Sequence, residues 1–254
     1  NPAARALLDA LALAASRGTA SAVFGLLQQP VVAQRFGLDD EGLARIHGWV
    51  LDAGVHWAFD GAQRQGLGLG DDPRHNMRHS WADGLDRLFL GHALPTSASP
   101  FDGRLPAGEP EGSAALALGA LWAFLQAIDA LRQRTAHPLP AQDWPPLLGA
   151  LIDSLLDADS AGTDALADLR AAIQGLADTW AGVWADGTPA LTLALDVVRQ
   201  ALTQALDDPA RGGVPTGRIT FSALPSLRSL PYRMVCVLGL NDGAFPSAHR
   251  PAEF

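Results

Sequence analysis

Several small groups of residues in this 254-residue chain have types and spacings that invite chemistry. His75 and His79 stand four apart, just after Asp71 and Asp72. On one helix the two imidazoles would share a face and could hold a metal ion. They lack the glutamate of the H-E-x-x-H pattern, and Pro73 argues against a helix there, so a solvated loop or a polar helix start is the better expectation. Ser222, Ser226 and Ser229 crowd one short segment, but no Gly-x-Ser-x-Gly elbow surrounds them and no histidine lies within it, which argues against a catalytic serine. Asn241 and Asp242 follow an apolar run, at the kind of position where open α/β sheets place ligands. A turn selected for its backbone geometry is the preferred explanation. Trp49, Trp57, Trp81, Trp122, Trp144, Trp180 and Trp184 could stack on single-stranded bases. Most have core spacing on helices; Trp57, in an irregular glycine-flanked stretch, is the candidate for exposure.

The elements that must position these residues are mainly helical. Asn1-Pro2 is a helix start, with Asn as cap and Pro in the first turn, followed by the stripe Ala4, Leu7, Leu8, Leu11 and Ala15 and a stop at Gly18. A second helix is expected from about 19 to 28, ended by Pro30. Asp39, Asp40 and Glu41 could be read as a carboxylate cluster, yet acidic residues opening a helix account for them, with Leu43, Ile46, Trp49 and Val50 on its buried side. Residues 54 to 78 read as irregular. Ser80 and Asp83 form a capping-box-like pair ahead of Trp81, Leu85, Leu88 and Phe89, which share a face. After an irregular stretch at 95 to 112, helices are expected at about 113–135, 143–157, 163–185 and 189–207. The last carries Leu191, Leu195, Val198, Leu202 and Leu206 on one side. A boundary follows at Asp207-Asp208-Pro209 and Arg211-Gly212-Gly213.

Beyond it lie the convincing strand signals: a short β-prone run at 219–221 and an unbroken apolar run at 234–238, read as a strand buried on both faces of a parallel sheet, with Cys236 as a core residue. The eleven residues between them, 222 to 232, are about the minimum for a parallel crossover. Two strands make no stable sheet alone, so the chain reads as a piece of something larger.

Composition narrows the function. The chain is 48% hydrophobic and 18% charged, ample for a core. All 18 basic residues are arginine, so no phosphate-binding P-loop with its G-K-(S/T) lysine can be complete within it. A net charge of −9 argues against an autonomous nucleic-acid clamp without excluding local DNA contacts. The single cysteine, the lack of a signal-peptide pattern and the lack of a charge-free apolar run of about 18 residues lead to the expectation of a soluble cytoplasmic protein with no membrane span.

Residues 218–246, RITFSALPSLRSLPYRMVCVLGLNDGAFP, resemble the motif V region of superfamily 1 helicases. In that region a strand leads into Thr-x-His-x-x-Lys-Gly-Leu-Glu-Phe, and a second strand ends in Gly-x-x-(Glu/Asp)-Gly-x-(Phe/Tyr)-Pro. Gly239, Asp242, Gly243, Phe245 and Pro246 match the second half. In the first half the motif threonine falls on Ala223, the histidine on Pro225, the lysine on Arg228, the glycine on Ser229 and the glutamate on Pro231. A pattern kept in its fold-forming half and lost in its chemical half is similar to the RecC-type gamma subunits of exodeoxyribonuclease V. Their Met-Arg-Ser-(Ile/Val)-Pro segment is closely similar to Leu227-Arg228-Ser229-Leu230-Pro231. Residues 79–91, HSWADGLDRLFLG, resemble a second segment of that family, with His92 departing from its usual tyrosine, and residues 29–36 resemble its opening region.

The resemblance implies a mainly α chain: a helical 2B-like domain over 1–210, then a truncated α/β RecA-like segment over 211–254, the start of domain 2A. It implies a non-hydrolysing subunit region of a RecBCD-type helicase–nuclease in double-strand break repair and homologous recombination. Such a subunit supports unwinding, strand channelling and recognition of the Chi hotspot. Its partners would be RecB-like and RecD-like subunits, double-stranded DNA ends and single-stranded DNA. No cofactor is expected in this region; ATP and Mg would sit in the motor subunits. Arg228 would face the cleft between two RecA-like domains, or else fix the crossover loop through backbone carbonyls. With Ser222, Ser226, Ser229, Asn241, Asp242 and Trp57 it makes up the cleft-lining or DNA-contacting candidates; no residue is assigned a catalytic role. The alternatives are a piece of an active superfamily 1 helicase or AddB-type subunit, and a helical protein-interaction domain without a DNA role.

Overall fold

The computed structural model describes residues 1–69, 72–95, 99–112, 114–182, 191–207 and 233–238. The contact pattern divides the chain into two units, Asn1–Asp208 and Pro209–Phe254. The first is almost wholly helical.

Its helices begin where local chemistry lets them. The Asn1 side chain accepts the Ala4 N–H at 3.2 Å and opens α1 (Pro2–Ala15), with Pro2 in the first turn. Thr19 caps α2 (Ala20–Leu27), and Pro30 then opens the single turn α3 (Pro30–Ala33) and a 3-10 turn at Gln34–Phe36. Asp39 accepts the Gly42 N–H at 2.8 Å ahead of α4 (Asp40–Asp52), so the three acidic residues serve a helix start. Two short helices follow, α5 (Gly61–Gly66) and α6 (Pro73–Met77), then α7 (Trp81–Ala93). The long α8 (Ala114–Arg134) precedes β1 (Leu139–Pro140), a 3-10 turn at Ala141–Asp143, α9 (Trp144–Leu155), α10 (Ala158–Ala161), α11 (Thr163–Gly182), β2 (Thr192–Leu193) and α12 (Leu195–Asp207).

α1 packs against α8, α11 and α12, while α8 also meets α4 and α9. Ala3, Ala6, Leu7, Ala10 and Leu11 of α1 are closed off from solvent, so small residues let neighbouring helices approach α1 on more than one side. Leu118, Leu121, Phe124 and Ile128 of α8 fill the centre. By length and composition α8 is apolar enough to cross a membrane. Part of that apolar surface is buried against α1, α4 and α9, while Leu116 and Trp122 remain exposed.

The structure corrects several expectations. Residues 54–78 hold α5 and α6, of six and five residues, which are too short to show a periodicity; Pro73 begins a helix there, where its missing N–H costs nothing. Ala15 is exposed, whereas Ala6, Ala10 and Ala14 are buried. Phe89 is 41% exposed although Trp81 and Leu88 are buried. At 3.6 residues per turn it lies about 80° round from Trp81, at the edge of the stripe. The last helix starts at Leu195, not 189, because Thr192 and Leu193 pair antiparallel with Pro140 and Leu139. This is the one sheet among the described residues.

In the second unit, residues 233–238 form neither helix nor strand and are exposed throughout, Met234 at 81% and Leu238 at 82%. The expected buried strand is thus not formed, and Cys236 is exposed rather than core. An apolar run becomes a strand only where a neighbour takes up its N–H and C=O groups, and no described strand pairs with it. The β-prone run at 219–221 and the turn at 241–243 lie outside the described residues.

Candidate functional site

The most elaborate polar arrangement surrounds Arg64. Asp60 accepts the Gln63 N–H at 2.7 Å and starts α5; Gln63 in turn accepts from the Phe59 N–H at 2.8 Å and donates to the Ser16 carbonyl at 3.0 Å. These bonds point Arg64 inward. Its guanidinium donates to the carbonyls of Trp57 at 2.6 Å, Asn76 at 3.0 Å and Arg78 at 2.5 Å. Burial pushes its pKa below the usual arginine value, opposed by the nearby Asp83 carboxylate. The fork therefore ties residue 57 and residues 76–78 to one planar cation.

Ser80 lies at the next corner. Its hydroxyl accepts the Asp83 N–H at 3.2 Å, and the Asp83 carboxylate accepts the His79 N–H at 3.0 Å, a capping box displaced by one residue. Asp83 also faces Arg104 at 3.5 Å, which reaches Asp86 at 3.3 Å and Asp102 at 3.4 Å. Arg87 donates to the carbonyls of Ala53 and Leu105, and the Trp81 indole donates to the Gly18 carbonyl. Gly91 lets the 99–112 segment lie directly on α7: a Cβ there would sit 2.1 Å from the Ala107 carbonyl oxygen.

Two clefts open on this unit. One, of about 240 Å³, lies between α7 and α8, with Leu85, Phe89 and Trp122 in its wall and Asp60, Asp86 and Asp129 beside them. The other, of about 360 Å³, is lined by Arg17, Gln63, Arg132, His137 and Asp196. Neither holds a nucleophile with an adjacent base. Among the described residues no group of three or more His, Cys, Asp and Glu side chains could hold a metal ion.

The family model for the fourth domain of the RecBCD enzyme subunit RecC matches residues 1–210. The chain belongs to the RecC family. It is 29% identical to the RecBCD enzyme subunit RecC of Escherichia coli K12 over 258 residues, 100% of this chain and 22% of that protein. The Mycobacterium tuberculosis H37Rv subunit is 31% identical over 253 residues, covering 99% and 22%. The Haemophilus influenzae subunit is 26% identical over 248 residues, covering 97% and 21%. The chain thus spans about a fifth of the length of these RecC relatives.

Within this RecC-family chain, the residues singled out from sequence scatter. Arg228, Ser229, Ser226, Ser222, Asn241 and Asp242 lie outside the described residues. Trp57 is half-buried, its ring 4.5 Å from the Arg64 guanidinium carbon and 5.9 Å from that of Arg17, so cations already crowd it. His75 lies in α6, but His79 falls beyond the helix at φ +62°, with its ring on the Gly54 carbonyl at 2.8 Å and 5.2 Å from the His56 ring. The pair therefore does not share a helix face. Trp49, Trp81 and Trp144 are core, as their spacing suggested. Trp122 opens to solvent, at 48%, although its helical spacing had grouped it with the core. Arg64 was missed. An arginine four residues after a capping aspartate carries no mark of the carbonyls it will clamp.

Proposed function

We propose that this chain is a region of a RecC-type subunit that contributes structure, not nucleotide hydrolysis, to a RecBCD-type helicase–nuclease. The match of the RecC fourth-domain model to residues 1–210 carries the reading. In this reading residues 1–210 form a 2B-like helical domain and residues 211–254 open a RecA-like domain 2A. Ala223, Pro225, Arg228, Ser229 and Pro231 stand where an active motif V has Thr, His, Lys, Gly and Glu, and the chain has no lysine. Without those groups a cleft cannot couple hydrolysis to DNA movement, so ATP and Mg belong to RecB-like and RecD-like motor subunits. Arg228, Ser222, Ser226, Ser229, Asn241 and Asp242 would line the degenerate cleft. The full subunit would hold the motors together in the cytoplasm, split DNA ends, channel the single strands and take part in Chi recognition during double-strand break repair and recombination. The test is the ATPase activity of the full-length protein, with and without DNA. Turnover should be absent alone and appear only when motor subunits are added; DNA-stimulated hydrolysis by the isolated protein overturns the proposal.

A further inference from the structure

The cleft between α7 and α8 joins two features, exposed aromatic rings and an excess of carboxylates. Its wall exposes two large aromatic rings, Phe89 at 41% and Trp122 at 48%, beside the buried Trp81. Exposed aromatics grouped in a concavity, unlike single apolar residues on a surface, mark a contact site. Around them the charge is one-sided. Arg132 serves both Asp60 and Asp129, at 3.0 and 2.7 Å, and Arg104 serves Asp83, Asp86 and Asp102. Five carboxylates share two guanidinium groups, and Asp86 remains half exposed. Arg64 also faces Asp83, so the set carries two more negative than positive charges, which repel a phosphate backbone and attract arginine or lysine. At about 240 Å³ the space falls below the usual range for a small-molecule or cofactor pocket and suits a large side chain.

We propose that this cleft is the docking site for a basic segment of a partner protein. The segment sets an apolar or aromatic side chain between Phe89 and Trp122 and an arginine or lysine against Asp86. An arginine there also lies within reach of the Trp122 face, where guanidinium groups stack well. The charge complementarity selects this occupant over DNA. The inference rests on the reading of the chain as part of a multisubunit assembly, and adds to it the place and chemistry of one contact.

The experiment replaces Trp122 by the photoreactive residue p-benzoylphenylalanine in the full-length protein, assembled with its purified partner subunits and a DNA end. Co-elution reports assembly, and mass spectrometry identifies the crosslinked peptide. The expected product is a partner-subunit peptide with an arginine or lysine within a few residues of an apolar anchor. In parallel, Trp122→Ala should weaken subunit association about tenfold, as for a central interface aromatic. Asp86→Asn should weaken it less and flatten its salt dependence. A crosslink to the protein's own chain, to DNA or to a segment without basic residues overturns the docking site. So does assembly without any crosslink, and that result leaves the subunit reading standing. Failure of the unmodified protein to assemble with motor subunits removes both.

Discussion

Phe124 on α8 and Arg64 on α5 are both nearly closed off from solvent, yet each organises its surroundings by a different force. Around Phe124 lie apolar side chains of helices long enough to present continuous faces, with the Phe36 ring meeting it edge-on at 5.5 Å between centroids. Around Arg64 lie backbone carbonyls from a stretch whose two helices are too short to hold themselves. Arg87 repeats the device with the carbonyls of Ala53 and Leu105. A helical bundle can be glued by burial alone. A lobe of turns carries too many backbone groups for that, and side-chain donors must satisfy them.

Five substitutions sharpen the contrast, the largest first. Phe124→Ala should cost about 3–5 kcal/mol in urea unfolding, because the helices around it cannot close the cavity. It should lower protection against hydrogen exchange across α1, α4 and α8 together; a loss confined to α8 would break the picture of one shared core. Arg64→Met keeps the stem but removes the donors to three carbonyls, and should cost about 2–3 kcal/mol once water relieves part of the loss. Its exchange signature should be local, at residues 57–80, with α1 and α9 unchanged. Arg64→Lys should restore little, since one ammonium cannot span the fork. Ser80→Ala removes the α7 cap and should cost about 1 kcal/mol, read as faster exchange in the first turn of that helix. Asp153→Asn breaks an exposed pair with Arg170 and should change stability by less than about 0.5 kcal/mol. A larger effect would mean that surface charge, rather than burial or clamping, holds α11 on α9.

The helices that could be read from sequence are those whose signals are local. Asn1-Pro2, Asp39 and Ser80 announced their helices, because a cap and its N–H groups lie within three residues of one another. The stripe of α12 was legible from Leu195 onward, but Leu191 looked like a further turn of it. Its carbonyl instead accepts from the Ala141 N–H, fifty residues away in sequence. The run at 234–238 misled for the same reason: its apolarity is a property of the residues, whereas being a strand depends on a neighbour.

The candidate sites divide along that line. By itself the sequence determined the family, through segments such as 79–91 and 227–231, the helical character of residues 1–210, and the impossibility of a lysine-dependent phosphate loop. Each of these rests on residue identity or on contacts within one or two helical turns. Tertiary structure alone decided that Arg64 is a clamp, that Trp57 is crowded by two arginines, and that Phe89 and Trp122 face a shared cleft rimmed with carboxylates. Burial and charge environment are sums over neighbours distant in the chain, and no window of sequence contains those neighbours.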